Sequence, residues 1–280
     1  MKVAAYQTPL LRCGSMEAIE LIRQQVSWCE SEGVAILCCP EAILGGLADY
    51  SSSPADFAID VERGQLATVL APLASSTVTT ILGFTEIAGG NRLYNSAAIF
   101  QNGAVVGLYR KLYPAIRKSV YEPGDRTPVF TIGGLTFGII ICNDSNFCEP
   151  ARIMAAKGAA ALFVPTNNGL PRDRAHAELV SQARKVDIAR AIDNSVSVIR
   201  ADVSGSAGDL VSYGSSAIVD SDGVVLQSAP LLAEKLLIAD IKGASAERNP
   251  SLSIRTVACD GTKCQKVSRR DRWPGTLRAL

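Results

Sequence analysis

Short runs of apolar residues, many of them β-branched, recur along the chain between polar segments. The clearest, residues 137–141, is too short for a helix and lies between Gly133-Gly134 and a polar stretch, so it predicts a strand buried on both faces. The same pattern predicts further strands at residues 3–6, 34–39, 77–84, 93–101, 104–109, 159–164, 195–201, 215–220 and 235–240.

Apolar residues at helical spacing predict four helices, at residues 15–33, 64–74, 150–157 and 173–193. The first begins after Ser15, and its apolar residues share one face: Ile19, Ile22, Val26 and Cys29. The inward face of the last helix is expected to carry Leu179, Ala183, Val186 and residues 189–192.

Two tight turns interrupt the alternation of strands and helices. Asn102-Gly103 between two apolar runs is a strong hairpin signal, and Gly133-Gly134 connects a second pair of strands. This pattern favours an α/β fold with a mixed sheet, or with two sheets packed face to face and helices outside. Since no repeat or linker is evident, we expect one domain over residues 1–280, with residues 243–280 as a polar tail that contacts another subunit.

The composition excludes several classes of partner. Of 280 residues, 48% are hydrophobic and 20% charged, which is typical of a globular protein, and the formal net charge of +1 favours neither nucleic acid nor a membrane. No apolar run approaches the roughly 20 residues that span a bilayer, and no signal-like segment opens the chain, so we expect a cytoplasmic protein. Its eight irregularly spaced cysteines are then expected to be reduced thiols, and the single His176 argues against a zinc site.

Three ionisable residues each follow the end of a predicted strand, where open α/β sheets place their catalytic groups: Glu41, Lys111 and Cys142. A thiol nucleophile needs a base, and a carboxylate with a raised pKa can take its proton and return it to a leaving amine. A lysine ammonium beside the attacked carbonyl offsets the developing negative charge, and one such donor is typically worth about 3 kcal/mol.

Each of the three also has a structural alternative. Cysteine often serves as a small core residue, so Cys142 alone is as compatible with packing as with catalysis. Glu41 after Pro40 could cap a turn, and Lys111 after Arg110 could be a solvated charge. For those two residues, taken singly, the structural alternative is favoured, and only the combination favours a nucleophile, a base and an oxyanion donor.

Motifs around these residues resemble those of the carbon–nitrogen hydrolase (nitrilase) superfamily. Pro40-Glu41, Tyr109-Arg110-Lys111-Leu112 and Cys142-Asn143-Asp144 resemble its Glu-Lys-Cys triad motifs. Supporting matches follow in the family's order: Gly83-Phe84-Thr85-Glu86, Leu93-Tyr94-Asn95-Ser96-Ala97, Glu122-Pro123-Gly124-Asp125, Phe147-Cys148-Glu149, Arg190-Ala191-Ile192-Asp193-Asn194 and Gly214-Ser215-Ser216.

The resemblance implies a four-layer α-β-β-α sandwich of two mixed sheets, assembled as a homodimer or higher homo-oligomer. It implies a thioester route without cofactor or metal, in which Glu41 is the base, Lys111 stabilises the oxyanion and Cys142 is the nucleophile. The backbone N–H of Asn143 is implied to face the same oxyanion.

Three more residues are expected to line the substrate pocket because they lie in loops that follow strands: Asp144, Asn167 and Asn168. Hydrogen bonding within those loops is the alternative for each. Glu86 either orients Lys111 or lies at the surface.

Two departures from the family's pattern concern the substrate. Many members carry a second glutamate seven positions before the Gly of their Pro-Gly-Asp motif, and here that position holds Arg117. The tripeptide at Cys142 resembles the amidase and carbamoylase branches, but Ser145 and Asn146 stand where carbamoyl-amino-acid hydrolases carry arginines that hold the substrate carboxylate. Arg117 or Lys118 is therefore a candidate contact for a substrate carboxylate.

The expected activity is cysteine-dependent hydrolysis of a small linear amide or N-carbamoyl compound. Nitrile hydrolysis and acyl transfer on the same triad are the chemical alternatives, and a catalytically silent scaffold is the alternative from another class. We expect the only histidine, His176, to be exposed on its helix, which disfavours Cys–His and Ser–His mechanisms. Cys148, the nearest rival thiol, is expected to pack at a helix start.

Overall fold

The computed structural model describes residues 1–116 and 118–242. Arg117 and the predicted tail at residues 243–280 lie outside the described residues. The described part of the chain contains sixteen strands: β1 (Lys2–Pro9), β2 (Ile36–Cys38), β3 (Ile59–Asp60), β4 (Thr79–Ala88), β5 (Arg92–Gln101), β6 (Ala104–Arg110), β7 (Val129–Ile132), β8 (Leu135–Ile139), β9 (Ala161–Pro165), β10 (Leu170–Pro171), β11 (Ser197–Ala201), β12 (Val203–Ala207), β13 (Leu210–Ser212), β14 (Ala217–Val219), β15 (Val225–Ser228) and β16 (Lys235–Asp240).

Four α-helices and three short 3₁₀ turns complete the described elements. The helices are α1 (Ala18–Ser31), α2 (Gln65–Leu70), α3 (Cys148–Ala156) and α4 (Glu178–Asn194). The 3₁₀ turns cover Ala48–Tyr50, Ala71–Leu73 and Cys142–Asn146. Among the described residues, no helix combines the length and apolar character needed to cross a membrane.

The strands form two mixed sheets. The larger has the order β10-β13-β12-β1-β2-β4-β5-β6, with β16 also paired to β1 and β3 to β4. The smaller has the order β15-β14-β11-β9-β8-β7. Both contain a parallel centre, β1-β2-β4 in the larger and β11-β9-β8 in the smaller, so several strands end at the same edge.

Alternation of side chains along β1 places this strand between two cores. Val3 and Ala5 pack against Phe137 and Phe163 of the smaller sheet, while Ala4 and Tyr6 pack in a second core with residues of α1 and α2. On the far side of the smaller sheet, side chains of α3 and α4 join the first core. The layers are therefore α-β-β-α, which confirms the predicted fold.

Most predicted elements are present, and both predicted hairpins form, as β5-β6 and β7-β8. Helix α1 buries Ile22, Val26 and Cys29 as expected, whereas Ile19 is only half-buried. The pattern did not predict β3, β10, β12, β13 or β15, because these strands are very short, rich in Ser and Gly, or largely exposed.

The predicted inward face of α4 is only partly confirmed. The helix begins at Glu178, and its buried side chains are Asp187, Arg190 and Ala191, of which the last two lie in the predicted range 189–192. Leu179, Ala183 and Val186 are only half-buried, and Ile192 is 55% exposed. The reason is that charged partners lie beneath the helix: Arg200 on β11 forms a buried ion pair with Asp187. A charged inward face does not produce the apolar periodicity on which the prediction depended.

Candidate active site

The triad predicted from the sequence comes together at the edge where strands of both sheets end. Glu41 follows β2, Lys111 follows β6 and Cys142 follows β8, and all three line one cavity of about 90 Å³. Asn167 and Asn168 follow β9 and line the same cavity. The larger sheet thus supplies the carboxylate and the ammonium, and the smaller sheet supplies the thiol.

Glu41 is held by three donors although its side chain is almost completely buried, at 1% exposure. Its Oε1 accepts hydrogen bonds from Lys111 Nζ at 2.5 Å and from Asn95 Nδ2 at 2.7 Å. Its Oε2 accepts the backbone N–H of Asn167 at 2.9 Å. Because Asn167 follows a strand of the smaller sheet, this carboxylate also joins the two sheets.

The turn that carries Glu41 depends on the absence of a side chain at Gly83. A Cβ atom at that position would lie 2.4 Å from the backbone nitrogen of Ala42 and 2.5 Å from Glu41 Cα. The Gly83 N–H instead donates to Pro40 O at 3.0 Å. Ala42 has a φ of 45°, in the left-handed region that is uncommon for non-glycine residues, so the turn is both tight and strained.

Lys111 is a buried cation with a fixed partner. Its side chain is 4% exposed, and its backbone N–H donates to Asn95 O at 2.8 Å. Burial lowers the pKa of Lys111, but the surrounding anionic groups, Glu41 first and then Cys142 and Asp144, together outweigh burial, so this pKa lies above its ordinary value. The side chain therefore carries a positive charge at neutral pH.

Cys142 begins the 3₁₀ turn Cys142–Asn146 with a φ of 46°. Burial, and after it the Glu41 carboxylate, raise the pKa of Cys142 to about 12, although Lys111 and Arg200 act in the opposite direction. At neutral pH the resting cysteine is therefore a thiol, and attack on a carbonyl requires a base. Glu41, which lines the same cavity, is in the place to act as that base.

Asp144 does not line the cavity; its carboxylate is fully buried and faces backbone groups instead. Its Oδ1 accepts the N–H groups of Leu112 at 3.1 Å and Tyr113 at 2.8 Å, and its Oδ2 accepts the N–H of Ile141 at 3.0 Å and the Tyr109 hydroxyl at 2.7 Å. The alternative of hydrogen bonding within loops therefore describes this residue. It joins the segment after Lys111 to the turn that carries Cys142.

The three asparagines predicted to lie at the site have different surroundings. Asn143 Nδ2 donates to Tyr113 O at 3.0 Å. Asn167 Nδ2 donates to Glu41 O at 3.3 Å, and Asn168 Nδ2 donates to the buried Asp202 at 2.8 Å. All three amides therefore contribute to loop geometry, while Asn167 and Asn168 also form part of the cavity wall. The predicted carboxylate contact Arg117 lies outside the described residues.

The positions of three neighbouring residues can be compared with the predictions made from the sequence. Glu86 does not orient Lys111: it is 1% exposed and accepts a hydrogen bond from Arg110 Nε at 2.9 Å. Cys148 is exposed at the start of α3 rather than packed. His176 is exposed, as expected.

The sequence analysis missed most of the cavity wall. The further lining residues are Leu47, Asp49, Tyr50, Asn95, Pro114, Ala115, Ile116, Tyr121 and Leu170. Most of them come from loops, whose sequences have no periodic pattern. Only Asn95 could have been predicted, because it belongs to the motif Leu93-Tyr94-Asn95 that resembles the family. In the described part of the chain, no three His, Cys, Asp or Glu side chains are grouped to hold a metal ion.

Comparison with known proteins identifies the family of this chain. Residues 2–249 match the profile of the family described as carbon-nitrogen hydrolase. The chain belongs to the carbon-nitrogen hydrolase family. This match confirms the family resemblance that was drawn from the sequence. It also confirms the prediction that the protein is an enzyme acting on carbon–nitrogen bonds other than peptide bonds.

Individual relatives within the family carry more than one activity. The chain is 32% identical over 188 residues to a nitrilase of Pyrococcus abyssi, covering 66% of this chain and 68% of that one. It is also 32% identical over 197 residues to an (R)-stereoselective amidase of a Pseudomonas species, covering 69% and 68%. A solved carbon-nitrogen hydrolase of Helicobacter pylori has a TM-score of 0.76 at 24% identity, covering 86% and 88%, which supports the fold.

Proposed function

We propose that this hydrolase cleaves the C–N bond of a small linear amide or N-carbamoyl compound through a thioester on Cys142. The observation that carries the proposal is that Glu41, Lys111 and Cys142 line one small cavity, with Lys111 Nζ 2.5 Å from Glu41 Oε1. The tripeptide that begins at Cys142 favours an amide or carbamoyl substrate over a nitrile.

In the first half of the proposed reaction, Glu41 takes the proton of the Cys142 thiol as sulfur bonds to the substrate carbonyl carbon. The oxygen of that carbonyl becomes an oxyanion, which the Lys111 ammonium and the backbone N–H of Asn143 stabilise. Glu41 then gives its proton to the leaving nitrogen, the C–N bond breaks, and ammonia or an amine departs. The acyl group remains on Cys142 as a thioester.

In the second half, a water molecule attacks the thioester carbonyl, and Glu41 takes a proton from that water. Collapse of the second oxyanion breaks the C–S bond, and the sulfur of Cys142 recovers its proton from Glu41. The acid leaves, and the three side chains return to their starting protonation states. One carboxylate can serve both halves because the same cavity holds it beside the thiol and the ammonium.

A covalent-adduct experiment tests the proposal. An electrophilic amide such as a haloacetamide is incubated with the enzyme, and the modified residue is identified by peptide mass spectrometry. Cys148→Ser is the matched control, because it removes an exposed thiol six positions away. We expect the adduct and the amidase activity to survive Cys148→Ser and to disappear in Cys142→Ser.

Product analysis separates the chemical alternatives. Ammonia release is screened with short amides, N-carbamoyl compounds and nitriles, each with and without an added amine acceptor. Hydrolysis predicts one equivalent of acid per ammonia from amides, whereas acyl transfer predicts a new amide when the acceptor is present. Turnover of nitriles alone, or activity that survives Cys142→Ser, would contradict the proposal.

A further inference from the structure

A buried ion pair behind Cys142 is not used in the proposed reaction. Arg200 on β11 and Asp187 on α4 are 2% and 1% exposed. Arg200 Nη2 lies 2.5 Å from Asp187 Oδ1, and Arg200 Nε donates to Asp187 Oδ2 at 2.8 Å, which makes the pair bidentate. Such a pair costs desolvation energy and is weak evidence for stability, so its other contacts indicate its role.

Those contacts lead to the nucleophile. Arg200 Nη2 also donates to Ser145 Oγ at 3.0 Å, and the Ser145 hydroxyl donates to the backbone carbonyl of Cys142 at 2.7 Å. Ser145 is 3% exposed and does not line the cavity. A second guanidinium, that of Arg190, donates to Ser145 O at 2.9 Å. Two buried arginine side chains therefore hold Ser145 of this turn in place through hydrogen bonds.

The backbone that these groups fix is strained. Cys142 has a φ of 46°, and a non-glycine residue keeps such a conformation only where its surroundings determine it. Asp144 holds the front of the turn through the N–H of Ile141. The chain from Asp187 through Arg200 and Ser145 holds the carbonyl of the strained residue itself.

We propose that Arg200, fixed by Asp187, is a positioning residue that holds the Cys142 backbone through the Ser145 hydroxyl and places a buried positive charge behind the sulfur. The inference rests on the proposed function, because it assigns a role to groups that act on the nucleophile. The charged or titratable groups that act on Cys142 are Glu41 and Asp202, which oppose the thiolate, and Lys111 and Arg200, which favour it.

Ser145→Ala tests the positioning role without removing a charge. It breaks the hydrogen-bonded link between the Arg200 side chain and the Cys142 carbonyl and leaves the bidentate pair in place. Because misplacement of a reacting group can cost on the order of 100-fold, we expect a fall in kcat of about tenfold or more with KM within about twofold. Ser212→Ala is the matched control, since Ser212 is also buried and donates to a backbone carbonyl, that of Val203 at 2.7 Å.

The double variant Arg200→Gln with Asp187→Asn tests the charge. It removes both charges of the ion pair together, so that neither partner is left buried and unpaired, and the rate of Cys142 alkylation by iodoacetamide at pH 8 is measured with Cys148 as internal standard. Arg200 lowers the pKa of the Cys142 thiol, whereas Asp187 is not among the main groups that act on it, so removing the pair raises this pKa and lowers the thiolate fraction. We therefore expect Cys142 alkylation to slow by more than about twofold. Ser145→Ala, which keeps both charges, is expected to change this rate less than about twofold.

The outcomes separate this inference from the proposed function. If Cys142→Ser abolishes turnover but Ser145→Ala has the kcat of Ser212→Ala, the positioning role is wrong and the triad stands. If Cys142 in the double variant is alkylated at the wild-type rate, the proposed effect of the buried Arg200 charge on the sulfur is wrong. If Cys142→Ser stays active, the proposed function itself is wrong. Since Ser145→Ala removes no charged group, it decides the positioning role even if the double variant does not fold.

Discussion

The Tyr109 hydroxyl donates a hydrogen bond to Asp144 Oδ2 at 2.7 Å, across the junction between the strand that precedes Lys111 and the turn that carries Cys142. Both residues are buried, and Asp144 accepts three backbone N–H groups from the same two segments. The Asp144 carboxylate thus links the segment of the Lys111 ammonium to the turn of the Cys142 thiol without a hydrogen bond to either group. Loss of this link should change the distance between the Lys111 ammonium and the Cys142 thiol.

Tyr109→Phe is expected to reduce both stability and turnover. It removes one of four donors to a buried carboxylate, which typically costs about 1–3 kcal/mol, and it loosens the segment after Lys111 relative to Cys142. Urea unfolding and steady-state kinetics measure the two effects. The control is Tyr6→Phe, because Tyr6 is equally buried and its hydroxyl bonds to Glu234 away from the cavity. Equal losses of kcat in both variants would contradict a specific role for Tyr109.

The pH dependence of stability offers a second test of Asp144. Burial raises the pKa of Asp144 to about 6 although Lys111 and the hydrogen bonds lower it, and the unfolded value is roughly 3.9. Between these values the folded state binds more protons than the unfolded state, so this group's contribution to stability falls as pH rises from about 4 to 6, by about 3 kcal/mol at most. Asp144→Asn cannot titrate. The difference in unfolding free energy between wild type and Asp144→Asn should therefore decrease over this window, and a constant difference would contradict the raised pKa.

Lys111→Met is expected to destabilise the fold and to abolish most activity. It leaves Glu41 buried without its cation, which costs about 3–5 kcal/mol, and it removes a donor to the oxyanion worth about 10²–10³-fold in kcat. The double variant Glu41→Gln with Lys111→Met should regain much of the stability and none of the activity. The exposed pair Arg23–Glu20 is the control, since water screens both charges and Arg23→Met should cost far less stability than Lys111→Met. Additive stability losses in the double variant would show that the two buried groups do not depend on each other.

The sequence allowed prediction of where the proposed catalytic groups meet, but not of the groups that hold them. Glu41, Lys111 and Cys142 could be placed because each follows a strand, and strand ends of a sandwich meet at one edge. Asp144 occupies the same kind of position, yet a carboxylate in a loop looks the same in sequence whether it faces a cavity or backbone N–H groups. The ion pair of Asp187 and Arg200 could not be predicted from the sequence for another reason. It is a contact between a helix and a strand thirteen residues apart, and its charges disturb the apolar pattern that would have marked the inward face.

Gly83→Ala is expected to inactivate the enzyme through the turn of Glu41. The new Cβ would meet backbone atoms of Glu41 and Ala42 at 2.4–2.5 Å, and backbone cannot move aside as a side chain can, so the carboxylate must shift relative to Lys111 and Cys142. Misplacement by about 1 Å can cost roughly 100-fold in rate. The control is Gly107→Ala, where the atoms nearest to the new Cβ belong to the side chains of Phe130 and Ile99 rather than to backbone. We expect kcat/KM to fall by about two orders of magnitude in Gly83→Ala and by less than about threefold in Gly107→Ala, with thermal unfolding to separate folding losses. Wild-type turnover in Gly83→Ala would mean that the position of Glu41 tolerates a displaced turn, and the carboxylate would then not be the precisely held base required here.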